Sequence, residues 1–377
     1  MRYAYICLSI TTVVILFVFP VFGQYPTFTF NELFYDTQYN PRSLALGKSA
    51  MAVDRGLASV LYNPAGLAHI KGSVFVFSAI ESVDGPLWEA DRYMIGEALS
   101  INKNAIIAFS KRHTKNFEFD GVSNESFTYN TVTFAYEPIP NLKLGINWNR
   151  MYTTYKMYNF YEGGLSKKNS NSYSLDCGVL KQFQFSRWNH SYNVQIGMSI
   201  HNITDSKIEL YGKLRNFAMP GGISNYNSGS LETVLPETMY LGVSYGSSAN
   251  ATVGETSLKM YKWLFVGNLQ QELNGSIRDG YSLGTELEIW EIISIRVGHF
   301  KEKLSNYQGE TQQKYWKDNT FGAGLMIPVN KFSRGKIPVQ LHLDYTEQEL
   351  PNYIKGTGYY LNKSRNFSIF SINVYWK

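Results

Sequence analysis

Beyond about residue 72, polar and apolar residues alternate with period two along most of the chain. Tyr192, Val194, Ile196, Met198 and Ile200 share one face, and Asn193, Gln195, Gly197, Ser199 and His201 share the other. The same split separates Val339, Leu341, Leu343 and Tyr345 from Gln340, His342, Asp344 and Thr346. It also separates Leu142, Leu144, Ile146 and Trp148 from Lys143, Gly145, Asn147 and Asn149. The first stretch is ten residues long and the other two lie within longer alternating runs, which reach the roughly nine to eleven residues that a tilted strand needs to cross a bilayer. A β-sandwich also alternates, but its strands average about five or six residues. The pattern therefore predicts membrane strands, apolar toward lipid and polar toward an interior.

Turn signals place strands near 73–82, 90–101, 104–114, 126–138, 141–155, 171–184, 190–204, 236–247, 257–270, 279–290, 293–303, 317–328, 336–348 and 365–377. That is an all-β membrane protein, an antiparallel transmembrane barrel of about 14 strands, an even number as bacterial barrels have. Short junctions such as Pro138-Ile139-Pro140-Asn141 and Glu291-Ile292 alternate with longer polar ones, Glu162 to Ser170, Ser305 to Lys314 and Pro351 to Ser364. The short turns should face the periplasm and the long loops the outside. Asp205 to Leu235 is the longest connection, a candidate extracellular loop over the mouth. The last residues alternate to the end, Phe370, Ile372, Val374 and Trp376 against Ser371, Asn373 and Tyr375, with Lys377 after the final aromatic.

One segment breaks the pattern: Leu44 to Ala68 is apolar, rich in small residues and helix-prone. A closed barrel of this size has a backbone radius of about 14 Å, too wide for its own side chains to fill. The odd segment is the natural plug. Asp54 to Tyr62 reads as a helix, Asn63 as an N-cap, and Pro64 as the first residue of a second short helix. Ala50, Ala52, Gly56, Ala58, Ala65 and Ala68 keep the segment slim. The site residues expected here are Asp54, Asn63, Pro64, Ala65, Gly66 and Leu67. Asp54 is expected to tie the plug to the wall through Arg150 or Arg296.

The N-terminus adds the compartment. Arg2 precedes an apolar run from Tyr5 to Phe22 ending in Val21-Phe22-Gly23, which reads as a signal peptide over 1–23 with Gln24 as the mature start. The run is shorter than the roughly 20 residues of a spanning helix. The mature chain would retain only Cys177, which excludes an internal disulfide and a cysteine-rich zinc site. Aromatic residues make up 15% and charged residues 17%, against about 25% charged in ordinary soluble domains. A net charge of +5 with scattered lysines does not point to nucleic acid.

Chemistry is sparse. Gly242-Val243-Ser244-Tyr245-Gly246 fits the G-x-S-x-G pattern but lies within an alternating strand rather than at a strand-to-helix elbow. The six histidines include no HExxH, and His201 and His342 sit on polar strand faces, as lumen residues would. No enzyme, cofactor or metal is expected.

Gly47, Ala50, Ala52, Asp54, Ala58 and Asn63-Pro64-Ala65-Gly66-Leu67-Ala68 resemble the N-terminal hatch of FadL-type outer-membrane transporters and of the related PorV/PorQ proteins of the Bacteroidetes. Gly284-Thr285-Glu286-Leu287-Glu288, Ile295-Arg296-Val297-Gly298-His299-Phe300, Thr320-Phe321-Gly322-Ala323-Gly324-Leu325 and Leu343-Asp344-Tyr345 resemble the final strands of the PorV/PorQ branch. After the signal peptide (1–23), the resemblance implies an extension and hatch (24–72) and a 14-stranded barrel (73–377) in the bacterial outer membrane. For FadL-type members it implies passive transport of small hydrophobic compounds. For PorV/PorQ-type members it implies a non-enzymatic subunit of the type IX secretion system that binds exported cargo or a translocon. Expected partners are outer-membrane lipid, small hydrophobic ligands or secretion-system proteins, and no nucleic acid.

Overall fold

The structure is a computed structural model that describes residues 39–53, 56–82, 91–117, 123–159, 164–204, 207–212, 218–219, 222–223, 229–234, 237–253, 256–273, 279–303, 315–333, 337–350 and 365–376. Seven strands come first: β1 (Ser73–Ser82), β2 (Asp91–Ser100), β3 (Ala105–Phe117), β4 (Ser123–Ile139), β5 (Leu142–Asn159), β6 (Gly164–Arg187) and β7 (His190–His201). The next connection carries two small sheets, β8 (Lys207–Gly212) with β11 (Gly229–Val234) and β9 (Ala218–Met219) with β10 (Gly222–Ile223). Seven more strands follow: β12 (Thr238–Val253), β13 (Thr256–Glu272), β14 (Gly280–Ile289), β15 (Ile293–Lys303), β16 (Tyr315–Ile327), β17 (Val339–Leu350) and β18 (Arg365–Trp376).

These fourteen strands form one closed antiparallel barrel, each beside its neighbour in sequence, with β7 beside β12 and β18 closing on β1. The connections at 140–141, 188–189 and 290–292 lie at one end, together with Ser73 and Trp376, which pair with each other. The strand ends that flank the longer connections, 202–237, 304–314 and 351–364, lie at the other. The expected alternation of short turns and long loops is present except between β16 and β17, where residues 328–338, with a short helix at Val329–Phe332, join the strands at the short-turn end.

The outer face carries exposed large apolar side chains nearly all the way round, among them Ile146, Trp148, Ile196, Val243, Phe265, Leu283, Ile295, Phe321 and Tyr345. Their inward neighbours Asn147, Gln195, Ser244, Arg296 and Asp344 are buried. Water would penalise that outer belt and a bilayer rewards it, so the wall is built to span a membrane.

Two expectations are corrected in detail. β6 starts at Gly164, so most of the loop expected from Glu162 to Ser170 is strand. Gly164 to Ser170 is polar at nearly every position, so its period of two leaves no hydropathy trace. The interior is also not uniformly polar. Val74, Val76, Met94, Ala98, Ile106 and Ala108 of β1 to β3 point inward and pack on Leu57, Val60 and Leu67 of the plug. Protein rather than water fills that half of the lumen, so apolar residues are favoured there.

Among the described residues, β16 and β17 form a seam where two strands both run on past the end of their ladder. β16 stays paired with β15 up to Tyr315↔Lys303, and β17 with β18 up to Leu350↔Arg365. Between them, β16 and β17 pair only from Ile327↔Leu341 to Phe321↔Glu347. Toward the long-loop end the two strands continue without bridging.

Candidate functional site

The plug begins with α1 (Pro41–Ala45), where Asn40 is the N-cap and its Oδ1 accepts from the amides of Arg42 and Ser43. Two short 3-10 helices follow, Leu57–Leu61 and Pro64–His69. The longer helix expected over Asp54 to Tyr62 is thus only its last part. Gly56, Ser59, Val60 and Tyr62 favour helix weakly, and the residue before Pro64 is held extended. Asn63 caps the second turn as expected: its Oδ1 accepts from the amide of Ala65 at 3.1 Å, and Pro64 is the first residue of the turn.

Asn63 does more than cap. Its Nδ2 donates to the carbonyl of Met51 within the plug at 3.3 Å and to that of Val179 on β6 at 3.0 Å. Pro64, Ala65, Gly66 and Leu67 are buried, with Leu67 in the main apolar cluster. Further ties run round the wall. Asn147 donates to Val60 O (2.8 Å), Ser244 to Ala52 O (3.1 Å), Asn268 to Lys48 O (3.2 Å) and Ser49 to Ser282 (2.9 Å). Tyr39 bonds through its hydroxyl to Thr114 and through its carbonyl to the Ser78 hydroxyl. Burial pushes its phenol up, so it stays neutral.

The seat that receives the plug is made of glycine. A Cβ on Gly298 would lie 1.9 Å from Gly47 N, on Gly178 2.1 Å from Asn63 Oδ1, and on Gly145 2.3 Å from Ala65 N. On Gly284 it would meet Leu46 O at 2.4 Å, on Gly322 Ala45 Cβ at 2.5 Å, and on Gly197 Met51 O at 2.6 Å. These glycines lie on β5, β6, β7, β14, β15 and β16, so the plug's backbone and small side chains lie directly against two groups of neighbouring wall strands. Gly47 itself has φ +67° and is wedged against the backbone of His299, which only glycine satisfies without strain. Within individual strands these glycines read as polar-face positions, and only the register shows that they share a level.

Charge anchors the plug on the short-turn side of this ring. Glu286 on β14 is buried and takes three cations: Arg42 of the plug at 2.8 Å, Arg296 of β15 at 2.7 Å and Lys262 of β13 at 3.7 Å. Arg296 also bonds Asp344 of β17 at 2.6 Å. On the long-loop side, Lys48 bonds both oxygens of Glu302 at 3.0 Å and lies over the Phe300 ring.

Asp54 lies outside the described residues. Of its expected partners, Arg150 does not reach the plug: it sits on the outward parity of β5 and donates to Asn171 at 3.2 Å. Arg296 does face inward, but it reaches the plug through Glu286 and Arg42. Arg42 belongs to none of the motifs, and only the fold brings it to Glu286.

A hydrolase-like set also comes together unexpectedly. Ser199 Oγ lies 3.1 Å from His201 Nε2, and His201 Nδ1 3.8 Å from Asp176 Oδ2. Both Ser199 Oγ and His201 Nε2 meet the carbonyl of Tyr62 at 2.7 Å, and Ser199 is buried. Asp176 also accepts from Asn147 and Asn149. The serine hydroxyl is committed to the plug rather than to a base, so the set clamps the plug. Ser244 of the G-x-S-x-G run lies within β12 and likewise donates to the plug. Among the described residues, no three His, Cys, Asp or Glu side chains group as metal ligands.

Below the glycine ring, toward the short turns, a cavity of about 200 Å³ lies between the plug and β13 to β18, lined by the Arg42, Glu286, Arg296 and Asp344 network and by Gln340, His342 and Asn373. Above the ring, the lumen holds fully buried Phe127, Met151, Met94 and Phe300.

No protein-family model matches the chain, and no curated protein matches its sequence. Solved structures with similarity include the toluene transporter TodX of Pseudomonas putida, at 10% identity and TM-score 0.44 over 88% of this chain and 96% of that one. A FadL homologue of Pseudomonas aeruginosa aligns at 11% identity and TM-score 0.47, covering 90% and 98%. The toluene transporter TbuX of Ralstonia pickettii aligns at 11% identity and TM-score 0.45, covering 91% and 100%.

Proposed function

We propose that this chain is an exported outer-membrane barrel that passively conducts small hydrophobic compounds, and that they leave it sideways rather than through the hatch. One observation carries the reading: the β16–β17 ladder ends at Phe321↔Glu347 on the long-loop side of a hatch tied to the wall all round. An axial route would have to break the glycine contacts, the Glu286 cluster and the Asn63 bonds together. The seam asks for none of that. It lies beside Phe300, which pairs across β15 and β16 with Asp318. Phe127 of β4, Met94 of β2 and Met151 of β5 add buried apolar side chains elsewhere around the lumen above the hatch.

The test is uptake of labelled toluene by cells whose outer membrane lacks other hydrocarbon channels, with and without the protein. Faster uptake with the protein is expected. Equal uptake in both strains overturns the reading.

A second reading, a PorV/PorQ-like subunit of a secretion or assembly complex, is favoured by the tightness of the hatch itself. A barrel that only holds partners has no use for a plug that moves. Purification in mild detergent with a stoichiometric partner protein would support it, and a bare barrel would count against it.

A further inference from the structure

At the short-turn end of the barrel one strand edge is left open. β6 pairs with β5 only as far as Lys181↔Leu142, yet it pairs with β7 as far as Arg187↔His190. Gln182 still donates its amide to Asn141 O at 2.8 Å. Backbone groups alternate sides along a strand, so Gln184 and Ser186 turn their N–H and C=O the same way as Gln182. Among the described residues no strand lies beside them. Gln184 and Ser186 also share the inward parity of buried Gln182, but both are exposed, as is every residue from Phe183 to Asn189. The tip of the β6–β7 hairpin therefore stands clear of the lumen. Open sheet edges do not persist in hydrocarbon, because each unpaired backbone group costs several kcal/mol there. The tip thus lies beyond the bilayer core, and Phe185 and Trp188, 53% and 90% accessible, lie outside the hydrocarbon with it. Lys181 lies over the Phe183 ring at 5.9 Å and Arg187 over that of Trp188 at 5.4 Å, and among the described residues neither has a carboxylate within ion-pair reach.

We infer that the open edge of β6 is a docking site for an acidic, extended segment of another polypeptide, which adds to the sheet as a further strand. Its main chain pairs with the amides and carbonyls of Gln184 and Ser186. Its side chains on the outer face meet Lys181, Phe183, Phe185 and Arg187 in turn. The segment that fits therefore carries two carboxylates six positions apart, the spacing of Lys181 and Arg187, with apolar residues between them. In an extended chain that is about 20 Å. A second copy of this chain fits poorly, because two such edges would set four cations along one short ladder. A lipid headgroup meets the cations but leaves the backbone groups of Gln184 and Ser186 unpaired. The partner comes from the periplasm, on the reading that places the short turns there.

The experiment uses the full mature protein in nanodiscs of zwitterionic phosphatidylcholine. The probe is the peptide Ser-Asp-Thr-Val-Thr-Val-Thr-Asp-Ser, and the readout is hydrogen exchange at the amides of Gln184 and Ser186. Both amides should slow when the peptide is added. The counterpart with lysine in place of each aspartate should bind about tenfold more weakly. The form with N-methylated threonines, which keeps the charges but cannot pair along the edge, should give no slowing. Arg187→Glu, at an exposed position, should remove the preference for the acidic peptide, and Lys181→Glu added to it should reverse that preference. No slowing by the acidic peptide, equal slowing by the lysine counterpart, or slowing kept by the N-methylated form each overturns the inference. Slowing without any peptide when phosphatidylglycerol replaces phosphatidylcholine assigns the edge to the membrane surface and overturns it as well. These peptide arms use the native protein, so they decide even if a variant does not fold. Toluene uptake is a separate readout, so failure here and failure of the transport reading are told apart.

Discussion

Gly298 has no room for a methyl group. Its Cβ would sit 1.9 Å from the backbone nitrogen of Gly47, and neither backbone can yield without shifting the hatch. Gly298→Ala should therefore cost about 1–3 kcal/mol, the usual range for overpacking, read as a lower denaturant midpoint of the folded barrel. Gly246→Ala, whose nearest neighbours lie at 3.8 Å, should leave that midpoint within error. Asn63 joins three places by one side chain, and Asn63→Ala should lose about 1–2 kcal/mol with faster amide exchange in Pro64–His69. At Glu286 the loss is electrostatic. Glu286→Gln leaves Arg42 and Arg296 facing a neutral amide in a buried site, and about 3–5 kcal/mol is the scale for breaking such a cluster. A smaller loss than for Gly298→Ala would mean that the site is better hydrated than its burial indicates.

At the scale of elements, the strands were legible because lipid on one side and packed polar groups on the other enforce a period of two. Val339 to Thr346 shows it residue by residue. Legibility ended where that contrast ends. The stretch from Gly164 to Ser170 is polar except at Leu165, so its strand left no hydropathy signal. Asn63-Pro64 was readable because capping is a local event between neighbours. The 3-10 form of Leu57–Leu61 was not, since contacts with the wall override weak local preference there. The seat of the hatch was harder still: Gly145, Gly178, Gly284 and Gly298 share a level only once the register is known. Arg42 is an ordinary surface-type residue in sequence, and only the fold places it on Glu286. The seam between β16 and β17 also depends on pairing, because both strands alternate well along their length.

At the scale of the whole molecule, a fourteen-stranded wall leaves a hole that its own side chains cannot fill, and the hatch closes it by backbone contact with a glycine ring. A barrel closed in this way should be electrically quiet. Planar-bilayer recordings should show little conductance for the native chain and a porin-sized step when residues 40–70 are deleted. The most direct test of sideways passage locks each route in turn and measures toluene uptake. Cysteines at Ser49 and Ser282, whose hydroxyl oxygens lie 2.9 Å apart, fix the hatch to the wall as a disulfide. Cysteines at Asn319 and Glu349, the positions where the interrupted ladder would continue, close the seam with a short bismaleimide. Uptake should persist with the hatch locked and fall to background with the seam closed. Uptake that stops when only the hatch is locked, and continues when only the seam is closed, would contradict the account.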